Sequence, residues 1–372
     1  MKISKLGKVA LVAAVSASLA MPALTSASAA SKFATATSAS SVGGLAGLAA
    51  GCKAEGQLNI IATPGDWANY QEIFDGFKAA YGVKLDSTNP EGSSQEEIDA
   101  ANANKGTTRS PDVFDIGLST ATKYLGTGTF APYKVRNWNY ISGASAVSAN
   151  GEVTPNYTGT MTIGYDGALG TITKLDDLFK PVFKGKVALN GDPNVSSAGL
   201  NGVFMINKAL GGTFDDVSKG VEWFKKLKAA GNFIVVNPTA ATIASGQTPV
   251  VIDNGYNAVG VAMKMKAAGR TWKLYTPALV GSTYNAAVSA WAPHPACARL
   301  WMEYVLGEKG ALAWSKGGAT PTLWTWLVKT GRAPAAGVAV IGKNKVASDA
   351  ASSAQATAAR TYLKTAWPAA VA

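Results

Sequence analysis

The sequence predicts an α/β protein built from two lobes, and three observations support this. The chain has 372 residues, of which 47% are hydrophobic and 15% are charged, a composition typical of a folded protein. Its length exceeds the roughly 250–300 residues that one hydrophobic core usually supports. In both halves, short apolar segments alternate with segments whose apolar residues recur at helical spacing, which favours strands covered by helices.

The first 30 residues are typical of a secretory leader. Three lysines precede an apolar segment at 9–24, and small residues at 27–29 predict cleavage near Ala29–Ala30. After the leader, no apolar run reaches the roughly 18 residues that a membrane-spanning helix needs. The mature protein is therefore expected to be exported, in the periplasm or at the cell surface.

Residues 31–42 are rich in Ala, Ser and Thr, which predicts a linker. The residues before Cys52 are similar to a lipoprotein processing site, but Ala49 stands where a leucine is usual, so no lipid anchor is expected there. In an oxidising compartment the chain's two cysteines, Cys52 and Cys297, can pair in a disulfide. The alternative is that Cys52 is a small buried residue of a helix.

The alternation can be followed along the chain. Strands are predicted at 58–63, 83–89, 111–117, 185–190, 248–253, 272–277 and 286–291. Helices are predicted at 42–56, from a cap at Asp66 to Gly82, from a capping box at 94–97, from Ser196 and Ser197, and at 257–269; further helices carry Val217 to Leu227, follow Pro295, and precede Trp367. This strand–helix order indicates parallel sheets.

In open α/β sheets a ligand binds beyond the carboxyl ends of the strands. The loops at 63–70, 89–95, 117–120, 190–198 and 253–257 follow predicted strands. The candidate ligand-binding residues are Asp66, Trp67, Asn69, Tyr70, Ser94, Ser119, Asp192, Ser196, Ser197, Asp253, Tyr256 and Tyr284. The last of these lies near an expected crossing between the lobes.

Several of these residues allow two interpretations. Trp67 is either an aromatic wall of a binding site or a core residue, and its polar neighbours favour the first. Ser196 and Ser197 at a helix start can bind an anion or simply cap the helix. Asp253 can pair with an ammonium group or cap the helix that follows it.

The patterns of enzymes, metal sites and nucleic-acid binders are missing from the sequence. The net charge is +11, but the lysines do not form a stripe interleaved with aromatic residues. The single histidine, His294, lies between two prolines, and neither a G-x-S-x-G nor an H-E-x-x-H motif occurs. No cofactor and no resident metal are predicted.

Several segments occur in an order that is similar to a known family. They are EGQLNIIATPGDWANY, FKAAYGVKL, PDVFDIG, TIGYDG, FKGKVALNGDPN, GQTPVVID and HPACARLWMEYVLGEKGALAW followed by KGGATP. Over residues 43–330 the chain resembles the extracellular solute-binding proteins of bacterial ABC importers. It looks closest to the branch that includes ferric-iron and spermidine/putrescine binders.

The resemblance implies a type II periplasmic-binding-protein fold, with a central mixed sheet in each lobe and a cleft between the lobes. One lobe would hold residues 43–150 and 283–330, and the other 151–282 and 331–372. Trp67 and Tyr70 match the aromatic pair of polyamine binders, and Ser119 matches the polar residue after the third strand. Asp253 and Tyr256 lie in the segment that supplies an acid and an aromatic ring, although the intervening residues depart from the usual pattern.

The expected function is that of a monomeric solute-binding protein, not an enzyme, which closes on a small solute and delivers it to a membrane permease. The favoured solute is a polyamine-like organic cation. The alternatives are an anionic solute such as a phosphonate, or ferric iron, although the chain has no adjacent tyrosine pair of the kind common in iron binders. An exported enzyme on the same scaffold and a cell-wall adhesion module are the other function classes.

Overall fold

The computed structural model describes residues 32–343 and 348–372, and the predicted leader lies outside them. The strands are β1 (Gln57–Ile61), β2 (Lys84–Thr88), β3 (Val113–Gly117), β4 (Phe130–Ala131), β5 (Thr154–Asp166), β6 (Val187–Leu189), β7 (Val250–Asn254), β8 (Trp272–Tyr275), β9 (Gly281–Ser289) and β10 (Thr320–Pro321). Each strand predicted from the sequence overlaps one of them.

The α-helices follow the same chain order. They are α1 (Gly44–Glu55), α2 (Tyr70–Tyr81), α3 (Ser94–Ala103), α4 (Leu118–Tyr124), α5 (Ala144–Val147), α6 (Ser197–Ala209), α7 (Ser218–Ala229), α8 (Ala240–Ser245), α9 (Ala258–Ala267), α10 (Pro295–Val305), α11 (Glu308–Lys316), α12 (Trp324–Lys329), α13 (Ala335–Ile341) and α14 (Ser353–Val371). Within the described residues, no helix is both long enough and apolar enough to cross a membrane.

Eight of the strands form one mixed sheet, whereas β1 and β2 pair in a separate two-stranded sheet. The eight strands pair in the order β3–β9–β5–β7–β6, with β4 beside β9, and with β8 and β10 beside β5. The pairs β1–β2 and β6–β7 are parallel, whereas β9 runs antiparallel to β3 and to β5. The parallel arrangement indicated by the strand–helix order is therefore wrong for the sheet as a whole, because the strands that cross between the lobes run against their neighbours.

Strand β5 joins the two lobes. Its first half, up to Thr160, pairs with β9, and its second half, from Met161, pairs with β7 and β8. One hydrophobic core lies around α2 and α10 and includes Phe77. A second hydrophobic core lies around α6 and α7 and includes Phe224. The two-lobed mixed α/β fold is thereby confirmed.

The last part of the chain divides between the lobes. Helix α13 packs against α11 in the first lobe, whereas α14 packs against α7 in the second. The assignment of residues 331–372 to the second lobe stays a prediction.

The predicted linker is part of the first lobe. Phe33, Ala36 and Ala39 are buried in its core. The buried guanidinium of Arg299 donates hydrogen bonds to the carbonyl oxygens of Ala34 (2.7 Å) and Ala36 (2.8 Å). The small-residue composition predicted a linker, but these residues pack closely and satisfy a buried charge, so tertiary contacts hold residues 32–42 against the first lobe.

Cys52 in α1 and Cys297 in α10 form a disulfide, with their Cα atoms 4.3 Å apart. Both residues are fully buried. The sulfur that a lipid anchor at Cys52 would use is therefore bonded to Cys297.

Candidate functional site

A cavity of about 400 Å³ lies between the lobes, beyond the carboxyl ends of β1, β3 and β6. The first lobe lines it with Ala62, Pro64, Trp67, Pro90, Glu91, Gly92, Ser93, Ser94, Glu96, Glu97, Asp115 and Tyr284, and the second with Leu189 to Asp192, Val195 to Ala198, Phe233 to Asn237, Trp367, Pro368 and Val371. Five carboxyl groups line this cavity, and no Lys or Arg does so among the residues that the structure describes.

The start of α3 positions the acidic groups of the first lobe. Ser93, and not Ser94, caps this helix: its hydroxyl accepts from the N–H of Glu96, and the Glu96 carboxylate accepts from the N–H of Ser93 (2.7 Å). The capping box is thus one residue earlier than predicted. Ser94 and Glu97 consequently lie on the face toward β3, where they accept from the N–H groups of Gly117 (3.1 Å) and Asp115 (3.0 Å).

Asp115 lines the cavity and is the centre of a polar network. Its Oδ1 accepts from the side-chain amide of Asn156 (2.6 Å), and its Oδ2 accepts from the hydroxyl of Tyr157 (2.7 Å). The indole N–H of Trp67 donates to that same hydroxyl (2.8 Å). The ring that faces the cleft is therefore held by a two-step chain of hydrogen bonds that ends on a buried carboxylate.

Burial raises the pKa values of three of the cavity acids, Glu91, Glu97 and Asp115. Burial, and then the nearby Asp115 charge, raises the pKa of Glu97 well above its usual value. Burial raises the pKa of Asp115 to about 6, against the hydrogen bonds from Tyr157 and Asn156. Burial and the charge of Asp66 also raise the pKa of Glu91. A positive charge in the cavity would relieve the cost of ionising these groups.

The loops of the first lobe that border the cavity contain strained backbone. Four non-glycine residues of the described chain have left-handed φ angles: Ala62 (50°), Ala68 (45°), Asn69 (65°) and Asn89 (41°). All four lie in the segments that follow β1 and β2. Such conformations cost about 1–3 kcal/mol each and persist only where the surrounding structure enforces them, often at functional sites.

The strained turn explains why Tyr70 does not face the cleft. Trp67–Asn69 forms a 3-10 turn in which Ala68 and Asn69 are left-handed, and Tyr70 then begins α2 with its ring in the core. The ring is 2% exposed and packs edge-on against Trp314, with centroids 5.9 Å apart. Trp67 and Tyr70 therefore do not meet at the main cavity, which Trp67 lines and Tyr70 does not.

Tyr284 lies beside Trp67 at the cavity instead. The two rings meet edge to face with centroids 5.4 Å apart. Tyr284 also stacks parallel to Tyr157 across β9 and β5, at 5.7 Å. Both strands cross between the lobes, so this aromatic pair is part of the connection between them.

The second lobe contributes the start of α6. The hydroxyl of Ser196 caps this helix by accepting from the N–H of Gly199 (3.0 Å), and its own N–H donates to the carbonyl of Asp192. Ser197 and Ala198 then line the cavity with the first turn, whose N–H groups have no acceptor within the helix. The remaining wall of this lobe is mainly apolar, from Phe233 to Val236.

The twelve predicted residues fall into three groups. Trp67, Ser94, Asp192, Ser196, Ser197 and Tyr284 line the main cavity, and Asp66 and Asp253 line a small adjoining pocket that shares Trp67 with it. Asn69, Tyr70, Ser119 and Tyr256 do not line the main cavity.

Asn69 and Tyr256, which do not line the main cavity, make contacts that stabilise the fold. The side-chain amide of Asn69 donates to Glu72 and to the carbonyl of Ala313, both at 2.9 Å. Tyr256 is 1% exposed and packs edge-on against Trp67.

Asp253 does not cap a helix. Its carboxylate accepts from the side-chain amides of Asn190 (2.5 Å) and Asn257 (2.9 Å). Burial raises the pKa of Asp253, and those hydrogen bonds oppose the rise.

Sequence reasoning missed Glu91, Glu96, Glu97 and Asp115, the apolar segment from Phe233 to Val236, and the residues of α14. An acid inside the apolar segment PDVFDIG was a usable signal for Asp115, because an acid in a buried strand is rare unless it is paired. No local signal in the Ala-rich tail marks its approach to the cavity.

The lobes touch on both sides of the cavity. On one side, Lys264 of α9 forms an ion pair with Asp66. On the other, the hydroxyls of Ser119 and Ser197 lie 3.2 Å apart. A Cβ atom on Gly117 would lie 2.2 Å from the Cβ of Ser197, so only glycine allows this close approach. The structure therefore represents the cleft with its edges in contact.

A metal site in the described residues would use the acidic side chains and the single histidine. Among residues 32–343 and 348–372, no group of three or more His, Cys, Asp or Glu side chains is placed to hold a metal ion. His294 lies at the start of α10, where its Nδ1 is 2.8 Å from the buried Asp112 carboxylate, and neither residue lines the cavity.

Comparison with known proteins gives a family and a fold. A family model described as bacterial extracellular solute-binding protein matches residues 109–345. No curated protein matches the sequence.

Three solved structures illustrate the likeness. The periplasmic binding protein P5PA is 19% identical with a TM-score of 0.62, over 85% of this chain and all of that one. AfuA from Actinobacillus pleuropneumoniae, with fructose-6-phosphate bound, is 19% identical with a TM-score of 0.57, over 72% of this chain and 85% of its own. Iron-bound HitA from Pseudomonas aeruginosa is 18% identical with a TM-score of 0.58, over 84% of this chain and 98% of that one. Identities this low show the fold, and the ligands of these proteins differ.

The fold, the cleft between two lobes and the family match agree with one another. Proteins of this kind are exported components of ABC transporters that bind small solutes and deliver them to a membrane permease, and they are not enzymes. The chain belongs to the bacterial extracellular solute-binding protein family.

Proposed function

We propose that this protein captures a small organic cation with primary amine groups, with a polyamine as the favoured solute, for an ABC importer. The observation that carries the proposal is the charge of the cavity. It is lined by the carboxyl groups of Glu91, Glu96, Glu97, Asp115 and Asp192, with no basic side chain among its described lining residues. An amine placed there gains charge-assisted hydrogen bonds, which are about twice as strong as neutral ones.

The aromatic rings support the same ligand. Trp67 and Tyr284 both line the cavity, and a cation against the face of such a ring gains about 0.5–2 kcal/mol. A micromolar Kd requires about −8 kcal/mol, which two charge-assisted contacts and an aromatic contact together approach. Binding closes the lobes, because a solute that touches both stabilises the closed form by its differential affinity.

A second candidate is an anionic solute such as a phosphonate. The observation in its favour is the first turn of α6, where Ser197 and Ala198 line the cavity near unpaired backbone N–H groups. The surrounding carboxylates oppose this candidate, because they would repel a second negative charge.

Calorimetric titration separates the candidates. The mature chain is freed of retained solute by reversible unfolding and dialysis, then titrated with putrescine, spermidine, methylphosphonate, inorganic phosphate and ferric citrate. Tighter binding of the amines than of the oxyanions supports the proposal. Binding of methylphosphonate or phosphate alone, or of ferric citrate alone, contradicts it. Chemical change of the bound solute, followed by NMR, would indicate an enzyme instead.

A further inference from the structure

The C-terminal helix α14 is the feature that neither the family nor the proposed function accounts for. It belongs to the second lobe by packing: the ring of Trp367 lies 5.0 Å from Phe224 and 6.0 Å from Phe233, centroid to centroid. Trp367 is 5% exposed, so it anchors the end of the helix firmly in that core.

The same end of the helix borders the main cavity. Trp367, Pro368 and Val371 are lining residues, next to the apolar segment that contains Phe233 and Val235. Pro368 contributes an apolar ring to this lining and carries no polar side-chain group. The helix thus offers the cavity an apolar surface, opposite in character to the carboxyl groups of α3 and β3.

Arg360 connects the helix to both lobes. It precedes Trp367 by seven residues, or about two helical turns, and so lies on the same face. One of its guanidinium nitrogens donates to the carbonyl of Asn194 in the second lobe (2.7 Å), and another donates to the hydroxyl of Ser119 in the first (3.1 Å). That hydroxyl is the one that meets Ser197 at the edge of the cavity.

We propose that α14 is a third wall of the solute site, with Val371 facing the bound solute and Arg360 joining the helix to the first lobe. The helix travels with the second lobe and reaches Ser119 when the lobes approach. The solute is then enclosed by carboxyl groups on one side and by the apolar end of α14 on another. This inference uses the cavity of the proposed function but does not depend on which solute occupies it.

Thiol accessibility tests the wall without any solute. The native cysteines are joined to each other, so Val371→Cys introduces the free thiol, and Tyr362→Cys on the exposed part of the same helix is the matched control. Each variant is treated with a cationic and an anionic methanethiosulfonate reagent of similar size. The acidic cavity should favour the cationic reagent at position 371 by at least about fivefold relative to position 362, because charged clefts concentrate counter-ions.

Two outcomes of this labelling experiment test different proposals, one about the wall and one about the solute. Equal reagent preference at the two positions overturns the proposal that α14 walls the cavity. A raised preference at position 371 that putrescine and spermidine fail to protect supports the wall and refutes the amine as the solute.

A second variant tests the enclosure. Val371→Trp should fill part of the cavity and weaken binding of the tightest solute found by calorimetry at least about tenfold, whereas Tyr362→Trp should leave it unchanged. Equal affinity of Val371→Trp and the parent protein would also overturn the inference.

Discussion

The two faces of the cleft differ in what they offer a solute. The first lobe contributes Asp115 and Glu97, which are buried, hydrogen-bonded to backbone or neighbouring side chains, and shifted upward in pKa. The second lobe contributes Asp192, which is exposed, together with a helix start and an apolar wall. Charge at a low dielectric interacts far more strongly than charge in water. The first lobe is therefore expected to select the charge of the solute, and the second to select its shape.

The largest expected effect comes from removing the buried charge. Asp115→Asn should weaken putrescine binding about 100-fold, because loss of one partner of a buried charge pair costs about 2–5 kcal/mol. Asp192→Asn, on the opposite face, should change the Kd by less than about threefold, because an exposed charge is screened. Calorimetry on both variants compares the faces directly, and equal losses would contradict the division of roles.

A methyl group between the lobes should have the next largest effect. Gly117 has a φ of −63°, so alanine is compatible with its backbone, and the clash is with Ser197 across the cleft. Gly117→Ala should hold the lobes apart and weaken binding about thirtyfold, the equivalent of about 2 kcal/mol of overpacking.

The double variant that combines Gly117→Ala with Ser197→Gly is the control for that clash, since it removes the side chain that the introduced methyl group would meet. It should recover most of the affinity. Small-angle X-ray scattering with putrescine should show the more open form for the single variant, and full closure would refute the steric argument.

Trp67→Ala should weaken putrescine binding about tenfold through loss of the ring face. Trp67→Phe keeps a ring but removes the N–H that donates to Tyr157, so it separates the cation contact from the hydrogen bond. Affinity is measured by calorimetry and folding by the thermal midpoint. Unchanged affinity in Trp67→Ala would place the amine elsewhere in the cleft.

The smallest expected effect is the change in amine affinity with pH. The pKa of Asp115 is raised to about 6, so its carboxylate is mostly ionised at pH 7.5 and mostly protonated at pH 5.5. An amine binds the ionised form, so its affinity should fall about fourfold between these pH values, in step with the ionised fraction.

The stability of the unliganded protein should change with pH in the direction opposite to the affinity. Because the folded state holds this proton more tightly than the unfolded state, the contribution of Asp115 to stability is greatest at low pH and is lost as the pH rises through about 6. Asp115→Asn should remove this pH dependence from both the affinity and the stability. Identical pH profiles of the parent protein and the variant would contradict the attribution of the pH dependence to Asp115.

Much of the fold follows from short-range patterns. Alternating apolar segments place the strands, and the rule that ligands lie beyond strand ends leads to the loops that contain Trp67, Asp192 and Ser197. Half of the twelve candidate residues line the main cavity. These features depend on the position of a residue in its own element, and periodicity within the sequence reports that position.

What the sequence determined by itself is the set of elements and the loops at their ends. The tertiary structure decided which side chains of those loops turn toward the cleft. Two left-handed residues turn Tyr70 into the core while Trp67 stays at the cavity, and a one-residue shift of the cap aims Ser94 and Glu97 at β3. It also brought α14, which begins more than 150 residues after the start of α6, to the cavity. Packing between distant segments fixes these outcomes, and a local pattern holds no information about the partner that a segment will meet.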